Sequence, residues 1–216
     1  MNATTELRSP SNTVAVPLLV AGALGGVVFA ASSLVQAVVR EGFDPLRHAV
    51  SQLVLGPGGA VQIVTFVVAG VLMILGGIGL RRALHGGRGA RAVPVLIMIE
   101  GLGFIAAGTF RADPGNGFPP GSEAAFSVTG MVHLACAGIA FIALIAACFV
   151  LASRISKQGD RAWAVAGRVS AILFALGFLF AHTGMTGGPL ALFIGATIAW
   201  VWFGLTLISR RRLASS

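Results

Sequence analysis

Five residues of this chain have side chains suited to chemistry and lie in polar surroundings: His48 and Ser51 in FDPLRHAVSQL, Asp113 in FRADPGNGFPPGSE, His133 in GMVH, and His182 in FLFAHTGMTGG. Three histidines and an aspartate can build a zinc site with one open position. Ser51 or a metal-bound water would then supply the nucleophile for hydrolysis of a lipid or an amide. In that reading Ser51 and Asp113 are catalytic, and His48, His133 and His182 ligate the metal. His133 and His182 alone would suit a haem. No HExxH or other dense ligand motif accompanies them.

The elements that must position these residues belong to a membrane protein. The chain has 216 residues, of which 56% are hydrophobic and only 10% charged. Its mean hydropathy is +0.91, whereas soluble domains carry about 25% charged residues. Apolar runs near 16–39, 60–80, 92–110, 126–152, 163–183 and 189–209 are each long enough to cross a hydrocarbon core of about 30 Å as a helix. The expected fold is therefore all-α: a bundle of six membrane helices over 14–209, with short tails at 1–13 and 210–216. The first run exceeds the usual apolar core of a signal peptide, about 7–15 residues, and reads as an uncleaved helix.

Charge sets the expected orientation. Arg8, the 81–91 loop, the 154–161 loop and the 210–212 tail together hold eleven basic residues, while the alternate connections hold only Arg40, Arg47 and Arg111. Positive charge is retained on the cytoplasmic side, so both termini are expected there, in a cell membrane. The net charge of +8 is thus a matter of topology. Basic residues at span ends without interleaved aromatics exclude nucleic acid as a partner and leave membrane lipids and a small lipid-like ligand. Trp163, Trp200 and Trp202 fall toward cytoplasmic ends, as interfacial indoles do. His85 reads as a solvated loop residue, and the Asn2-Ala-Thr4 acceptor lies on the side where it is not glycosylated. Cys136 and Cys148, about 18 Å apart along one helix, cannot pair within the chain.

With that orientation, the polar residues collect toward the outer face. Asp44 and Pro45 suit the start of a short helix, and Gly56-Pro57-Gly58 stops it. Leu46, Ala49, Val50, Leu53 and Val54 would share its apolar face, and Arg47, His48, Ser51 and Gln52 its polar one. That polar face is either wet or closes over a site. The second outer loop is rich in turn formers and should be compact, with Asp113 either a local hydrogen-bond acceptor or a site member. His133, about 10 Å below the interface, should face the bundle interior, with Thr129 one turn earlier on the same side. Glu100 lies near mid-membrane, with Arg168 as its expected counter-ion. Gly22 with Gly26 and Gly103 with Ala107 read as helix-packing pairs.

The stretch GFDPLRHAVSQL followed by Gly-Pro-Gly-Gly and Val-Gln-Ile, then FRADP and GMVH, resembles the domain of unknown function 998 family across most of the chain. The resemblance rests on Asp44, Pro45, His48 and Ser51, on Asp113-Pro114 and on His133; it implies six spans and no established activity. Phe43 stands where such sequences often carry Tyr. The set of Ser, Asp and three His is also similar, in residue types only, to alkaline ceramidases and adiponectin receptors, although the paired histidines of their last helix are missing. Besides the hydrolase, two readings follow: a binding or assembly module for a lipid, quinone or haem, and a transporter, for which polar groups below His133 are few.

Overall fold

The computed structural model describes residues 10–87 and 89–209. The Arg8 and Arg88 charges and the 210–212 tail lie outside them. Six helices account for most of the chain: α1 Pro10–Val39, α2 Gly59–Ala83, α3 Ala92–Thr109, α4 Val128–Lys157, α5 Arg161–Ala181 and α6 Gly188–Ile208. All six are long and apolar enough to cross a membrane, and they coincide with the six apolar runs to within a few residues, except that α1 begins six residues earlier and α4 ends five later. A chain in lipid must satisfy its backbone internally, and helices do so within each span. This is a multi-pass membrane protein.

The helices run up and down and close into a ring. Each packs against its neighbours in sequence, and α6 returns to α1. Small residues set the seams. A Cβ on Gly22 would lie 2.5 Å from the Gly76 Cα, one on Gly26 would strike the Trp200 ring at 2.3 Å, and one on Gly103 would meet the Ala140 Cβ at 2.8 Å. Gly22, Gly26 and Gly103 therefore work as packing residues, against α2, α6 and α4 respectively.

Every helix sends an aromatic ring to the axis. Phe29 of α1 lies 4.9 Å from both Phe66 of α2 and Phe104 of α3, and 5.5 Å from Trp200 of α6. Phe104 contacts Phe141 of α4, which meets Phe174 and Phe178 of α5 at 5.3 and 5.9 Å. The edge-to-face geometry of these contacts is the favourable one for aromatic rings. Trp200 departs from the expected interfacial position: it is buried, and its Nε1–H donates to Glu100 Oε1 at 2.7 Å. Trp202, nearer the end that carries residues 10 and 209, is buried as well, its Nε1–H donating to the Trp163 carbonyl; Trp163 is half-buried there, and its Nε1–H donates to Thr206 Oγ1.

The connections 40–58, 110–127 and 182–187 gather at the opposite end, called here the distal face. The first contains no continuous helix. Residues 44–48 make one turn, Ala49 is extended, and a 3-10 helix follows at Val50–Val54. The break comes from side chains that compete with the helical ladder: His48 Nδ1 accepts the Asp44 N–H at 2.9 Å and Gln52 Oε1 the Ala49 N–H at 3.1 Å.

Candidate functional site

The two long distal connections form an interlocked roof. Asp44 caps its turn by accepting the Leu46 N–H on Oδ1. His48, only 4% exposed, has both ring nitrogens engaged. Nδ1 accepts from Asp44, so Nε2 carries the proton and donates to the Asn116 carbonyl at 2.9 Å. Its ring packs against Phe43 and the buried Phe118, 5.5 and 5.4 Å away. Gln52 Nε2 reaches the Asp113 and Gly115 carbonyls, and Asn116 Nδ2 donates back to the Arg47 carbonyl. The Arg40 guanidinium holds the Leu53 and Leu55 carbonyls. The polar face of FDPLRHAVSQL is therefore largely taken up by the second loop.

That loop owes its shape to Asn116-Gly117. Gly115 and Phe118 exchange backbone hydrogen bonds around the pair, whose φ angles are 55° and 86°. This is the two-residue turn with both central residues left-handed, for which Asn-Gly is the preferred sequence. Asp113 ties the loop to α4. Its Oδ1 accepts the Ser127 hydroxyl at 2.6 Å and its Oδ2 the Ser127 N–H at 2.8 Å, while Ser127 Oγ accepts the Gly130 N–H and caps the helix. These bonds, the hydroxyl foremost, hold the Asp113 carboxyl below the usual carboxylate range. A side chain on Gly130 would overlap that carboxylate, its Cβ falling 2.0 Å from Oδ2.

Beneath the roof lies a cavity of about 100 Å³. Ala49, Val50 and Ser51 form its ceiling, His133 and Ala137 of α4 and His182 of α5 part of its wall, and Phe104 and Trp200 border it toward the bundle centre. His133 is 1% exposed. Its Nδ1–H is shared between the Ala107 and Phe110 carbonyls at the end of α3, 2.7 and 2.9 Å away. His182 Nδ1–H donates to the Phe178 carbonyl at 2.8 Å. With Nδ1 so committed, each neutral ring leaves Nε2 as a lone-pair acceptor. Neither Nε2, nor Ser51 Oγ, has a hydrogen-bond partner among the described residues. Leu134 and His182 are exposed, so the cavity opens between α4 and α5 near the distal face.

Of the five expected site residues, Ser51, His133 and His182 thus share one cavity, and His48 and Asp113 do not line it. The expected zinc set is not assembled: no group of three His, Cys, Asp or Glu among the described residues is placed to hold a metal, whereas zinc takes at least three protein ligands. His48 drops out because both its nitrogens are bonded, Asp113 because Ser127 occupies its oxygens. A haem also fits poorly: about 100 Å³ leaves no room for a porphyrin, although it can take a small polar headgroup. Thr129 is exposed and does not line the cavity.

Two features lie outside the expected set. Glu100, 1% exposed, has Trp200 as its partner, and no ion pair joins it to Arg168 among the described residues. Between α1 and α2, near the distal end, Ser32, Ser33, Gln36, Gln62 and Thr65 form a hydrogen-bonded cluster. Gln36 Nε2 donates to Gln62 Oε1 at 2.6 Å, Gln62 Nε2 to Ser33 Oγ at 3.0 Å, and the Ser32 and Thr65 hydroxyls meet at 2.7 Å. The sequence signal was available: polar residues four apart on α1 (32, 36) and three apart on α2 (62, 65), each pair on one helical face.

Neither a curated protein nor a solved structure matches the chain. A family model described as "Protein of unknown function (DUF998)" matches residues 23–209, from within α1 to the end of α6, which takes in the roof, the cavity and all of its lining residues. The chain belongs to the DUF998 family.

Proposed function

We propose that this protein binds a small neutral amphiphile in the distal half of the bundle, with Ser51, His133 and His182 holding its polar end. The observation that carries the reading is that, among the lining residues, these three alone have a polar side-chain atom without a hydrogen-bond partner among the described residues; the rest of the lining is apolar or, at Trp200, already bonded. No Lys, Arg, Asp or Glu lines it, so a phosphate, carboxylate or ammonium headgroup would be desolvated without a counter-ion. Two imidazole acceptors and a hydroxyl instead suit a headgroup that donates hydrogen bonds, such as the hydroxyls of a monoacylglycerol or a long-chain alcohol.

The hydrolase reading has less support. Ser51 Oγ makes no hydrogen bond to either imidazole, and the Asp113 carboxylate is engaged by Ser127, so no nucleophile–base–orienter series is in place. Transport has less still, because the axis beneath the cavity is packed with the rings of Phe104, Phe141, Phe174 and Trp200. The basic residues favour a cell-membrane location with the distal face outside and both termini cytoplasmic. The test is lipid analysis of protein purified in mild detergent. Wild type should retain a neutral hydroxylated lipid in stoichiometric amount, and Ala137→Phe, which fills the cavity, should not. Equal lipid profiles from the two would sink the proposal.

A further inference from the structure

We infer that the hydrocarbon tail of this amphiphile leaves the cavity past Phe193 and lies in the α1/α6 seam, which serves as its route in from the bilayer. The inference rests on the binding reading above and adds where the tail goes. The seam is where the first and last helices close the ring. On its outer side is a groove of about 230 Å³, with Gly26, Ala30 and Ala31 of α1 facing Thr197 and Val201 of α6. Phe193 and Trp200 line both this groove and the internal cavity, so the two hollows share a wall two side chains wide.

The two wall residues differ. Trp200 is fixed by its bond to Glu100, by contacts with Phe29 and Phe104, and by its seat against Gly26. Phe193 is half-buried, and among the described residues its ring contacts no other aromatic, unlike the other phenylalanines that line the cavity. A rotation of Phe193 would join the hollows without disturbing the aromatic centre. The groove itself suits hydrocarbon. Thr197 Oγ1 donates to the Phe193 carbonyl at 2.7 Å and so offers no free donor. From Gly26 to Leu34 the groove runs about 12 Å at 1.5 Å per residue, comparable with one leaflet's half of a hydrocarbon core of about 30 Å. Leu34 and Val201 at its rim are exposed, as a groove filled from the bilayer requires. The mouth between α4 and α5, beside His182 at the end of its helix, then serves the polar end.

The test is photocrosslinking in nanodiscs with a monoacylglycerol that carries a diazirine near the end of its acyl chain, with and without excess unlabelled monoacylglycerol. Competable label should map to residues 26–34 and 197–201. It should be lost in Ala31→Phe, which narrows the groove from its exposed side, and should form faster in Phe193→Ala. Competable label on Leu134 or Gly138, with Ala31→Phe unchanged, would overturn the seam route while leaving the binding reading intact. Label that is neither competed nor reduced by His133→Phe would mean bulk lipid contact and would overturn both.

Discussion

Replacing His48 by Phe separates a structural histidine from a ligand-binding one. Phenylalanine keeps a ring between Phe43 and Phe118 but removes both polar contacts, the one accepted from the Asp44 N–H and the one donated to the Asn116 carbonyl. Asn116 is exposed, so its carbonyl turns to water and the loss is one ordinary hydrogen bond, about 1 kcal/mol. Asp44 is half-buried, and an orphaned N–H there costs about 1 kcal/mol more, the low end of the range for a buried unsatisfied group. The sum, about 2 kcal/mol, corresponds to a fall of roughly 4–8 °C in Tm for a chain of this size. Thermal unfolding in detergent measures it, and limited proteolysis between residues 110 and 127 should speed up in parallel. The headgroup site should stay intact, with amphiphile binding to the folded variant within about twofold of wild type, a difference of roughly 0.4 kcal/mol. An unchanged Tm with binding abolished would refute the assignment and return His48 to the site.

Three further outcomes follow from the same contacts. The Ser127 donors depress the Asp113 carboxyl, so the stabilisation is complete above the unfolded value of about 3.9 and is lost as pH falls through the lower folded value; acid unfolding curves should show this loss in wild type and a flatter profile in Asp113→Asn. Gly130→Ala drives a methyl into the Asp113 carboxylate and disrupts a helix cap worth about 1 kcal/mol, so it should lower Tm at least as far as Ser127→Ala, whereas Ala at the neighbouring exposed Thr129 should change it little. Glu100→Ala leaves the buried Trp200 N–H without an acceptor, at about 1–3 kcal/mol, whereas Glu100→Gln retains one; melting temperature and tryptophan emission should both separate the two variants.

The spans were legible because lipid imposes a simple rule on composition: about 20 apolar residues per crossing, with charge left at the ends. The compact second outer loop and the stop at Gly56-Pro57-Gly58 were legible because Gly, Pro and Asn favour turn geometries that few other residues adopt. The division of labour among the histidines was not, because it depends on contacts made across the fold. His48 is accounted for by the carbonyl of Asn116, 68 residues away, and His133 by the end of α3. Nothing local distinguishes an imidazole whose second nitrogen is bonded from one whose second nitrogen is left unbonded beside a cavity. Glu100 shows the same limit: Arg168 suited it by charge, but Trp200, a hundred residues along, reaches it and Arg168 does not. The α1/α2 cluster leaves only a faint trace in the sequence, because uncharged Ser, Thr and Gln barely lower the hydropathy of a span, although interhelical bonds of this kind contribute about 0.6 kcal/mol each.

The most direct test of the central claim is a titration of the nanodisc-embedded protein with a short-chain monoacylglycerol, followed through the emission of Trp200, with Trp200→Phe used to subtract Trp163 and Trp202. Trp200 borders the cavity and holds Glu100, so it reports on an occupant directly. Binding of a neutral amphiphile predicts a saturable change that is lost in Ala137→Phe and weakened in His133→Phe. A change that is linear in lipid and identical in all three proteins would contradict it.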